Sequence, residues 1–229
     1  MGEVRAVSQS EEPFLDRAEA GRLLGSELED FSDSNPVVLG IPRSGVIVAR
    51  EIARRLNAEL DIVVSRTLCE PGNPDVTIGA INEEGKLFTV QESREPATLC
   101  EESHANAEEE REKQYTMMAE SLDRYREIRP KVPLEGRTVI IADDGLTSGA
   151  AMQASLWTTR KEKPKRLIAA VPVASMEALD RVAGLADETV VLKTPPIFYE
   201  LGQFYEFFDR TTDEEILEAL QDSVRRKGK

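Results

Sequence analysis

The sequence is poor in the residues that most metal sites and many catalytic units require. It contains one histidine, His104, and two cysteines, Cys69 and Cys100, which have no Cys-x-x-Cys spacing. A zinc-type site needs more of both residue types. A Ser-His-Asp or Cys-His unit would have to use His104, which lies in an acidic run typical of a surface helix. We therefore expect neither kind of site, and we expect two free thiols in a reducing cytosol.

Long apolar runs and excess positive charge are also missing. No stretch approaches the ~18 consecutive apolar residues of a membrane helix, and residues 1–12 lack the basic flank and apolar run of a signal peptide. Acidic residues outnumber basic ones 43 to 29, giving a formal net charge of −14. Such a surface repels phosphate backbones and anionic lipid. We expect a cytoplasmic protein without nucleic-acid or membrane partners, in which local amides, arginines or a metal hold any anionic ligand.

Short apolar runs alternate with helical patterns along most of the chain. Strands are predicted at 37–41, 60–64, 138–142, 166–173 and 189–192, with helices between them. Continuous apolar runs of this length are typical of strands buried on both faces. The alternation predicts an α/β fold with a parallel sheet and right-handed crossovers. Length and composition fit one domain over residues 1–229.

Two regions interrupt this alternation. Turn-rich segments surround a short strand at 76–81, which is predicted to form a hairpin with residues 87–90. Residues 101–129 are predicted to form one long helix with an apolar stripe only in its second half. Its polar first half fits a solvated arm or a dimer contact, and the sequence does not assign its role.

The strongest chemical motif is an apolar strand that runs directly into Asp143 and Asp144. Adjacent carboxylates are costly to hold together, and a sugar diol or a hydrated Mg²⁺ would offset that cost. Ligands of open parallel sheets bind at the carboxyl ends of strands. The loop and helix start that follow consist mostly of small residues, whose amides, hydroxyls and helix dipole suit a phosphate: Gly145, Leu146, Thr147, Ser148, Gly149, Ala150 and Ala151.

Two further strand ends carry arginine. Arg43 precedes Ser44 and Gly45 where a strand turns into a helix, which supplies amides, a helix N-terminus and one cation for a pyrophosphate. An ordinary strand-to-helix turn explains this segment equally well when it is considered alone. Arg66 follows a third strand, where an arginine usually makes a surface ion pair. Because the other two strand ends suit phosphates, we interpret Arg66 as a pyrophosphate contact.

These segments together resemble the type I phosphoribosyltransferases, and in particular the stand-alone subgroup whose acceptor is unassigned. The likeness covers roughly residues 14–220. Besides Asp143–Ala151, it rests on these stretches: Phe14-Leu15-Asp16-Arg17, Ala20-Gly21, Leu39 to Val46, Pro71 to Pro74, Ile78-Gly79-Ala80, Val171-Pro172-Val173, Gly202, Phe204-Tyr205, Phe208 and Thr212 to Glu215.

The resemblance implies a sheet of about five parallel strands over residues of about 32–194. It implies a small hood from about 13–31 and 195–224, and a mobile lid after Arg66. Asp143 and Asp144 would bind the ribose hydroxyls of 5-phosphoribosyl-1-pyrophosphate (PRPP), and Thr147 to Ala151 the 5-phosphate. Arg43, Ser44 and Gly45 would form the pyrophosphate loop.

The expected activity is transfer of phosphoribosyl from PRPP to a nitrogenous acceptor, most simply a nucleobase, with Mg²⁺ as cofactor and release of pyrophosphate. The predicted catalytic residues are Asp143, Asp144 and Arg66. Mg²⁺ would be held through PRPP, with Asp143 or Asp144 as a candidate direct ligand. The partners are PRPP, an unidentified base and, as an open alternative, a second copy in a homodimer.

Three departures from the subgroup pattern keep another function open. Thr67 stands where the subgroup usually has lysine, Ala151 where it has threonine, and Ser44 where it has glycine. The first two changes remove a cation and a hydroxyl, and a Cβ at Ser44 is expected to restrict the backbone of the pyrophosphate loop. Such changes slow catalysis more than binding, so a PRPP-sensing regulator is the alternative. A phosphoacceptor receiver domain also carries an acidic pair, but residues 171–175 lack the third aspartate that it needs.

The segment after the last strand is rich in aromatic residues. Most of its six rings are predicted to pack the C-terminal helix onto the sheet, and Phe204 or Tyr205 to border the acceptor pocket: Phe198, Tyr199, Phe204, Tyr205, Phe207 and Phe208. The helix that follows is predicted to begin with a capping box between Thr212 and Glu215.

Overall fold

The structure, a computed structural model, describes residues 2–70, 73–89 and 101–227. Along the chain the elements are β1 (Glu3–Ser8), α1 (Arg17–Glu27), β2 (Val37–Gly40), α2 (Gly45–Arg55), β3 (Glu59–Ile62), β4 (Ser65–Glu70), β5 (Asn73–Asn82), β6 (Leu87–Thr89), α3 (Glu101–Ile128), β7 (Thr138–Ala142), α4 (Ala150–Lys161), β8 (Arg166–Val173), α5 (Met176–Val182), β9 (Glu188–Lys193) and α6 (Asp213–Lys227). Short 3₁₀ helices span Glu29–Ser34 and Leu201–Phe204.

Six parallel strands form the main sheet in the spatial order β1-β9-β8-β7-β2-β3. The predicted parallel α/β fold is confirmed. Alternate residues of the central strands pack on opposite faces because side chains in a strand alternate. Ile140 lies in a cluster with Leu24 and Ile52 of α1 and α2, whereas Ile141 packs with Met152 of α4. Helices therefore bury both faces, which explains the continuous apolar runs.

The N-terminal strand corrects the prediction of about five strands. β1 pairs with β9 at the edge of the sheet, and most of its residues are exposed. An exposed edge strand needs no buried apolar run, so the pattern that reveals the central strands is missing here. Residues 3–8 belong to the main sheet although the predicted core began at about residue 32.

A smaller antiparallel sheet carries the predicted hairpin, with β5 between β4 and β6. The hairpin is confirmed, and β4 is an additional strand. The base of this sheet lies against α4: Ala80 packs with Ala150 and Ala154, and the rings of Phe88 and Trp157 are 5.2 Å apart. The hairpin next to Arg66 is thus packed on α4, and the mobile lid expected after Arg66 stays a prediction.

The two terminal segments meet above the sheet, where the hood was predicted. The amide of Phe14 donates to the carbonyl of Phe204 at 2.8 Å, and the amide of Phe207 donates to Leu15 at 2.9 Å. The predicted capping box is also present, since the amides of Thr212 and Glu215 each bond the other's side chain, at 2.8 and 3.2 Å. These contacts hold the tail over the carboxyl ends of the strands.

The prediction that most of the tail aromatic residues belong to the core is wrong, because only three of the six do. Phe204 and Tyr205 are buried and Phe198 packs against the core, but Tyr199, Phe207 and Phe208 are 87%, 61% and 39% exposed. The segment is a single irregular layer, so one side faces the sheet and the other faces solvent.

Membrane-spanning helices and metal-binding clusters are both absent from the part of the chain that the structure describes. There, no helix combines the length and apolar character needed to cross a membrane, and no group of three or more histidine, cysteine or acidic side chains forms a metal-binding cluster. Cys69 forms no disulfide bond with another described residue, whereas Cys100 and the side chain of His104 lie outside the described residues.

Candidate active site

The two acids after β7 have different surroundings. Asp144 is only 7% exposed, and its Oδ2 accepts from Nε of Arg17 at 2.8 Å. Its backbone carbonyl accepts from the hydroxyl of Tyr205 at 2.6 Å. Hood and sheet therefore meet at Asp144, whose charge has a buried cation as its partner.

Asp143 lines the cleft at the strand ends, and its negative charge is less well compensated than that of Asp144. Its Oδ1 accepts from the amide of Asp144 at 2.9 Å. Burial, followed by the charge of Asp144, holds the pKa of Asp143 well above its ordinary value. A carboxylate in this setting is stabilised by a cation or by hydrogen-bond donors, so Asp143 suits a ligand that brings either.

Arg17 is a site residue that our sequence reasoning did not assign. It is the first residue of α1, after the N-cap Asp16, whose side chain accepts from the amide of Glu19. Its NH1 donates to the carbonyl of Asp209 at 2.7 Å, and its guanidinium lies 4.1 Å from the ring centroid of Phe208. The only signal for it was its place in a stretch that resembles the family.

The loop between β7 and α4 is small and tightly supported. Leu146 bridges to Ala174, and the hydroxyl of Ser175 donates to the carbonyl of Thr147 at 3.1 Å. Arg181 of α5 donates to the carbonyl of Ser148 at 3.1 Å. These bonds engage backbone carbonyls of the loop, and Ala151 in the first turn of α4 lines the cleft, where helix amides favour an anion.

Gly149 lets the chain turn into that helix. It is the N-cap of α4 and has φ +75°, a left-handed conformation that glycine adopts without steric cost. The backbone conformation of the predicted phosphate loop therefore explains why glycine occupies position 149.

The loop after β2 approaches the acid pair closely. A Cβ on Gly45 would lie 2.8 Å from the carbonyl oxygen of Ala142 and 2.8 Å from Oδ1 of Asp143. Ser44 has φ −77°, an ordinary helical value, so its Cβ does not restrict this loop as its departure from the family pattern had suggested. The peptide bond between Pro42 and Arg43 is cis.

Substitution of Gly45 by alanine is expected to cost about 1–3 kcal/mol of stability because the added methyl meets backbone and a fixed carboxylate. It should also weaken anion binding at the loop by about tenfold. Urea unfolding and calorimetry with pyrophosphate would measure both effects. Gly184→Ala is the matched control, since nothing lies within 4 Å of its added Cβ; equal effects in the two variants would contradict the prediction.

Arg43 and Arg66 bring two cations to the same part of the cleft. NH1 of Arg66 donates to Oε1 of Gln114 at 2.8 Å. Burial first, and then the charge of Arg43, lower the pKa of Arg66. Among the described residues neither arginine forms an ion pair with a carboxylate. Two like charges held together in this way are suited to a multivalent anion.

One cleft of about 390 Å³ is lined by six of the thirteen predicted site residues. Its predicted members are Arg43, Ser44, Arg66, Asp143, Asp144 and Ala151, with Thr67 beside Arg66. Gly45 is buried beneath it, and the remaining loop residues lie outside its lining: Gly145, Leu146, Thr147, Ser148, Gly149 and Ala150. The acid pair and the arginines therefore share one cavity, next to the start of α4.

The far wall of the cleft was not predicted. It comes from α3 and from the start of α6: Gln114, Met118, Ser121, Tyr125 and Asp213. The hydroxyl of Tyr125 donates to Asp213 at 3.2 Å, and burial followed by the charge of Asp213 raises the pKa of Tyr125 to about 12. The second half of α3 thus contributes to the site, whereas residues 101–110 have no described side chains.

Known proteins resemble this chain over most of its length. The model of the "Phosphoribosyl transferase domain" family matches residues 14–193. Two Mycobacterium tuberculosis proteins, each named "Putative phosphoribosyl transferase", are 37% identical over 93% of this chain and 47% of their own. The chain spans about half the length of these curated relatives.

A solved structure agrees with the fold. The crystal structure of the protein TT1426 from Thermus thermophilus is 40% identical, covers 92% of this chain and 98% of its own, and superposes with a TM-score of 0.73. Because the family match covers well over half of the sequence and includes all three strand ends that form the cleft, the chain belongs to the phosphoribosyl transferase domain family.

Proposed function

We propose that the protein transfers the 5-phosphoribosyl group of PRPP to a nitrogenous acceptor, most simply a nucleobase, with release of pyrophosphate. One observation carries this proposal: the acid pair at the end of β7 and two arginines from other strand ends line a single cleft. PRPP requires this combination, because it has a ribose diol between a phosphate and a pyrophosphate.

The ribose and 5-phosphate would lie on the β7–α4 side. Asp143 and Asp144 would accept hydrogen bonds from the ribose hydroxyls. The amides from Thr147 to Ala151 and the N-terminal end of α4 would hold the 5-phosphate. The bond from Arg17 orients the carboxylate of Asp144, so the diol would meet a fixed acceptor.

The pyrophosphate would lie between the loop at Arg43–Gly45 and Arg66. Burial, and then the charge of Arg43, lower the pKa of Arg66, and an anion between the two arginines would relieve the repulsion between them. In the transition state the same cations would stabilise charge that grows on the leaving group.

Mg²⁺ fits the chemistry of this cleft. The donor set is oxygen-rich, as Mg²⁺ prefers, and burial followed by the charge of Asp144 raises the pKa of Asp143, so a cation at this carboxylate would be favourable. Asp143 or Asp144 would hold the ion together with oxygen atoms of PRPP. Bound there, Mg²⁺ would neutralise charge on the pyrophosphate.

The reaction would be displacement at the anomeric carbon. The acceptor nitrogen forms a bond to that carbon while the bond to the pyrophosphate oxygen breaks, and the bonding electrons leave with pyrophosphate. The acid pair would favour the cationic character that develops on the ribose ring. Closure of the predicted lid after Arg66 would keep water from the same carbon.

The proposal extends to setting and partners. A formal net charge of −14 disfavours nucleic-acid and anionic membrane partners, so we propose small-molecule partners, PRPP and a base, in the cytoplasm. A homodimer stays the open alternative, in which the polar first half of the predicted helix at 101–129 would make the contact instead of forming a solvated arm.

The test is a pyrophosphate-release assay with PRPP and Mg²⁺ against a panel of purines, pyrimidines and simple amines. Release that requires one acceptor, with a new ribosylated product, would support the proposal. Calorimetry without an acceptor provides the second arm. If PRPP does not bind in the presence of Mg²⁺, the proposal fails.

A PRPP-sensing regulator remains the second candidate because of Thr67 and Ala151. Thr67 is exposed beside Arg66 and Ala151 lines the cleft, so neither supplies the usual cation or hydroxyl. Removing one contact of this kind typically costs on the order of 10²-fold in rate. Binding should survive, since the backbone amides of both loops are intact.

Restoring both side chains, as Thr67→Lys with Ala151→Thr, is expected to raise turnover by on the order of 10²-fold. Steady-state assays of the double variant and the unchanged protein would show this. A clear rise identifies an attenuated enzyme. Fast turnover in the unchanged protein contradicts the attenuation, and PRPP binding without turnover in either form identifies the sensor.

A further inference from the structure

A buried hydrogen-bond chain joins the strand of Arg66 to the helix behind the phosphate loop. Ser65, which is 3% exposed, begins β4 and immediately precedes Arg66. Its Oγ lies 3.0 Å from the carbonyl oxygen of Ala151 and 3.0 Å from Oγ of Ser155. Ala151 is in the first turn of α4 and lines the cleft. The chain therefore connects the two sides of the cleft.

The direction of this chain follows from counting protons. A serine hydroxyl has one proton to donate. Ser65 donates its proton to the carbonyl of Ala151, so the proton between the two hydroxyls must come from Ser155. Hydrogen bonds in such a series polarise one another inside a protein, and the hydroxyl of Ser65 is fixed from both sides.

A second bond connects the neighbouring strand β5 to the same helix, α4. Asn82 is directly opposite Ser65 in the β4–β5 ladder and is fully buried. Its Nδ2 donates to Oγ1 of Thr158 at 2.8 Å, and Thr158 donates in turn to the carbonyl of Ala154. Ser155 and Thr158 are three residues apart, so they lie on one face of α4. Paired residues of the hairpin thus dock on one face of the helix.

We propose that Ser65 is a positioning residue that couples the two ends of the PRPP site. It holds the strand of Arg66 at a fixed place relative to the first turn of α4, so that the pyrophosphate contact and the 5-phosphate contact have the spacing of one PRPP molecule. This inference rests on the proposed function. Ser65 does not touch the substrate in this role; it acts through Arg66 and Ala151.

The coupling distinguishes PRPP from its fragments. Ribose 5-phosphate needs only the β7–α4 side, and pyrophosphate needs only the arginines. A ligand that spans both gains from sites that are already correctly spaced. Loss of the Ser65 bond should therefore weaken PRPP without weakening either fragment, whereas simple destabilisation would not separate them.

The experiment is calorimetry of PRPP, ribose 5-phosphate and pyrophosphate, each with Mg²⁺, on the unchanged protein and on Ser65→Ala and Ser65→Cys. Cysteine keeps the shape of the side chain with a somewhat larger atom, and its thiol is a weak donor. Both variants are expected to bind PRPP about tenfold more weakly, the equivalent of one net hydrogen bond, and each fragment within about twofold. Ser155→Ala keeps the bond to Ala151 and should show a smaller loss.

Ser26→Ala is the control, because the Ser26 hydroxyl bonds a helix carbonyl on the exposed face of α1. Unchanged PRPP affinity in both Ser65 variants, or equal losses for PRPP and pyrophosphate, would overturn the coupling while leaving the proposed function intact. If the unchanged protein binds neither PRPP nor the fragments, the proposed function fails and this inference fails with it.

Discussion

Replacement of Arg17 by methionine is expected to lower the free energy of unfolding by about 3–5 kcal/mol. The change removes the cation 2.8 Å from Asp144 and leaves a buried carboxylate without a partner. It also removes the bond to the carbonyl of Asp209 and the contact with the ring of Phe208. Methionine keeps much of the side-chain length, so the loss reports charge and hydrogen bonding rather than a large cavity.

Urea unfolding of two further variants would establish the cause. Arg22→Met lies on the exposed side of the same helix and should change stability by no more than about 0.5 kcal/mol. Adding Asp144→Asn to Arg17→Met removes the stranded charge, so the double variant should recover part of the loss. A loss below about 1 kcal/mol for Arg17→Met, or no recovery in the double variant, would show that the ion pair does not hold the hood in place.

The central sheet could be predicted because its strands are apolar on both faces. The segments at Val37–Gly40 and Thr138–Ala142 are buried at every position, and a short run of this kind has few other uses in a soluble protein. β1 could not be predicted in the same way, since its exposed edge position imposes no apolar pattern. An apolar pattern predicts that a segment is buried. It therefore reveals strands in the centre of the sheet but not exposed strands at its edge.

The same reasoning separates the predicted part of the site from the rest. Asp143 and the glycines of the two loops are local features, encoded within a few residues of a strand end. Arg17 reaches its partner Asp144 across 127 positions, and Asp213 meets Tyr125 across 88. Such pairs form because the hood and the helices pack on the sheet. The spacing of residues along a single sequence does not predict contacts of this kind.

Neutralising Asp143 should separate stability from ligand binding. In the absence of ligand, burial and the charge of Asp144 raise the pKa of Asp143 above its ordinary value. A raised pKa in the folded state means that folding favours the protonated form. The stability from this group is fully present below the ordinary aspartate pKa, and it is lost as pH rises through the folded value.

Asp143→Asn is therefore expected to be more stable than the unchanged protein at neutral pH. Asparagine can still accept from the amide of Asp144, the bond that Oδ1 makes at 2.9 Å, while the repulsion between the two acids disappears. The advantage should be small below the ordinary aspartate pKa, grow as pH rises through the raised pKa, and then stay constant. Urea unfolding at a series of pH values measures it, with the exposed Asp33→Asn as the control.

Binding should change in the opposite direction. If Asp143 accepts from the ribose diol, its neutralisation removes a charge-assisted hydrogen bond of roughly 1.5–3 kcal/mol, or about tenfold to a hundredfold in PRPP affinity. Calorimetry with PRPP and Mg²⁺ at neutral pH would measure this beside the gain in stability. If Asp143 serves the ligand and not the stability of the free protein, the same variant should gain stability and lose PRPP affinity. A protein that becomes less stable, or one that keeps its PRPP affinity, would show that Asp143 is a structural residue and that the ribose is held elsewhere.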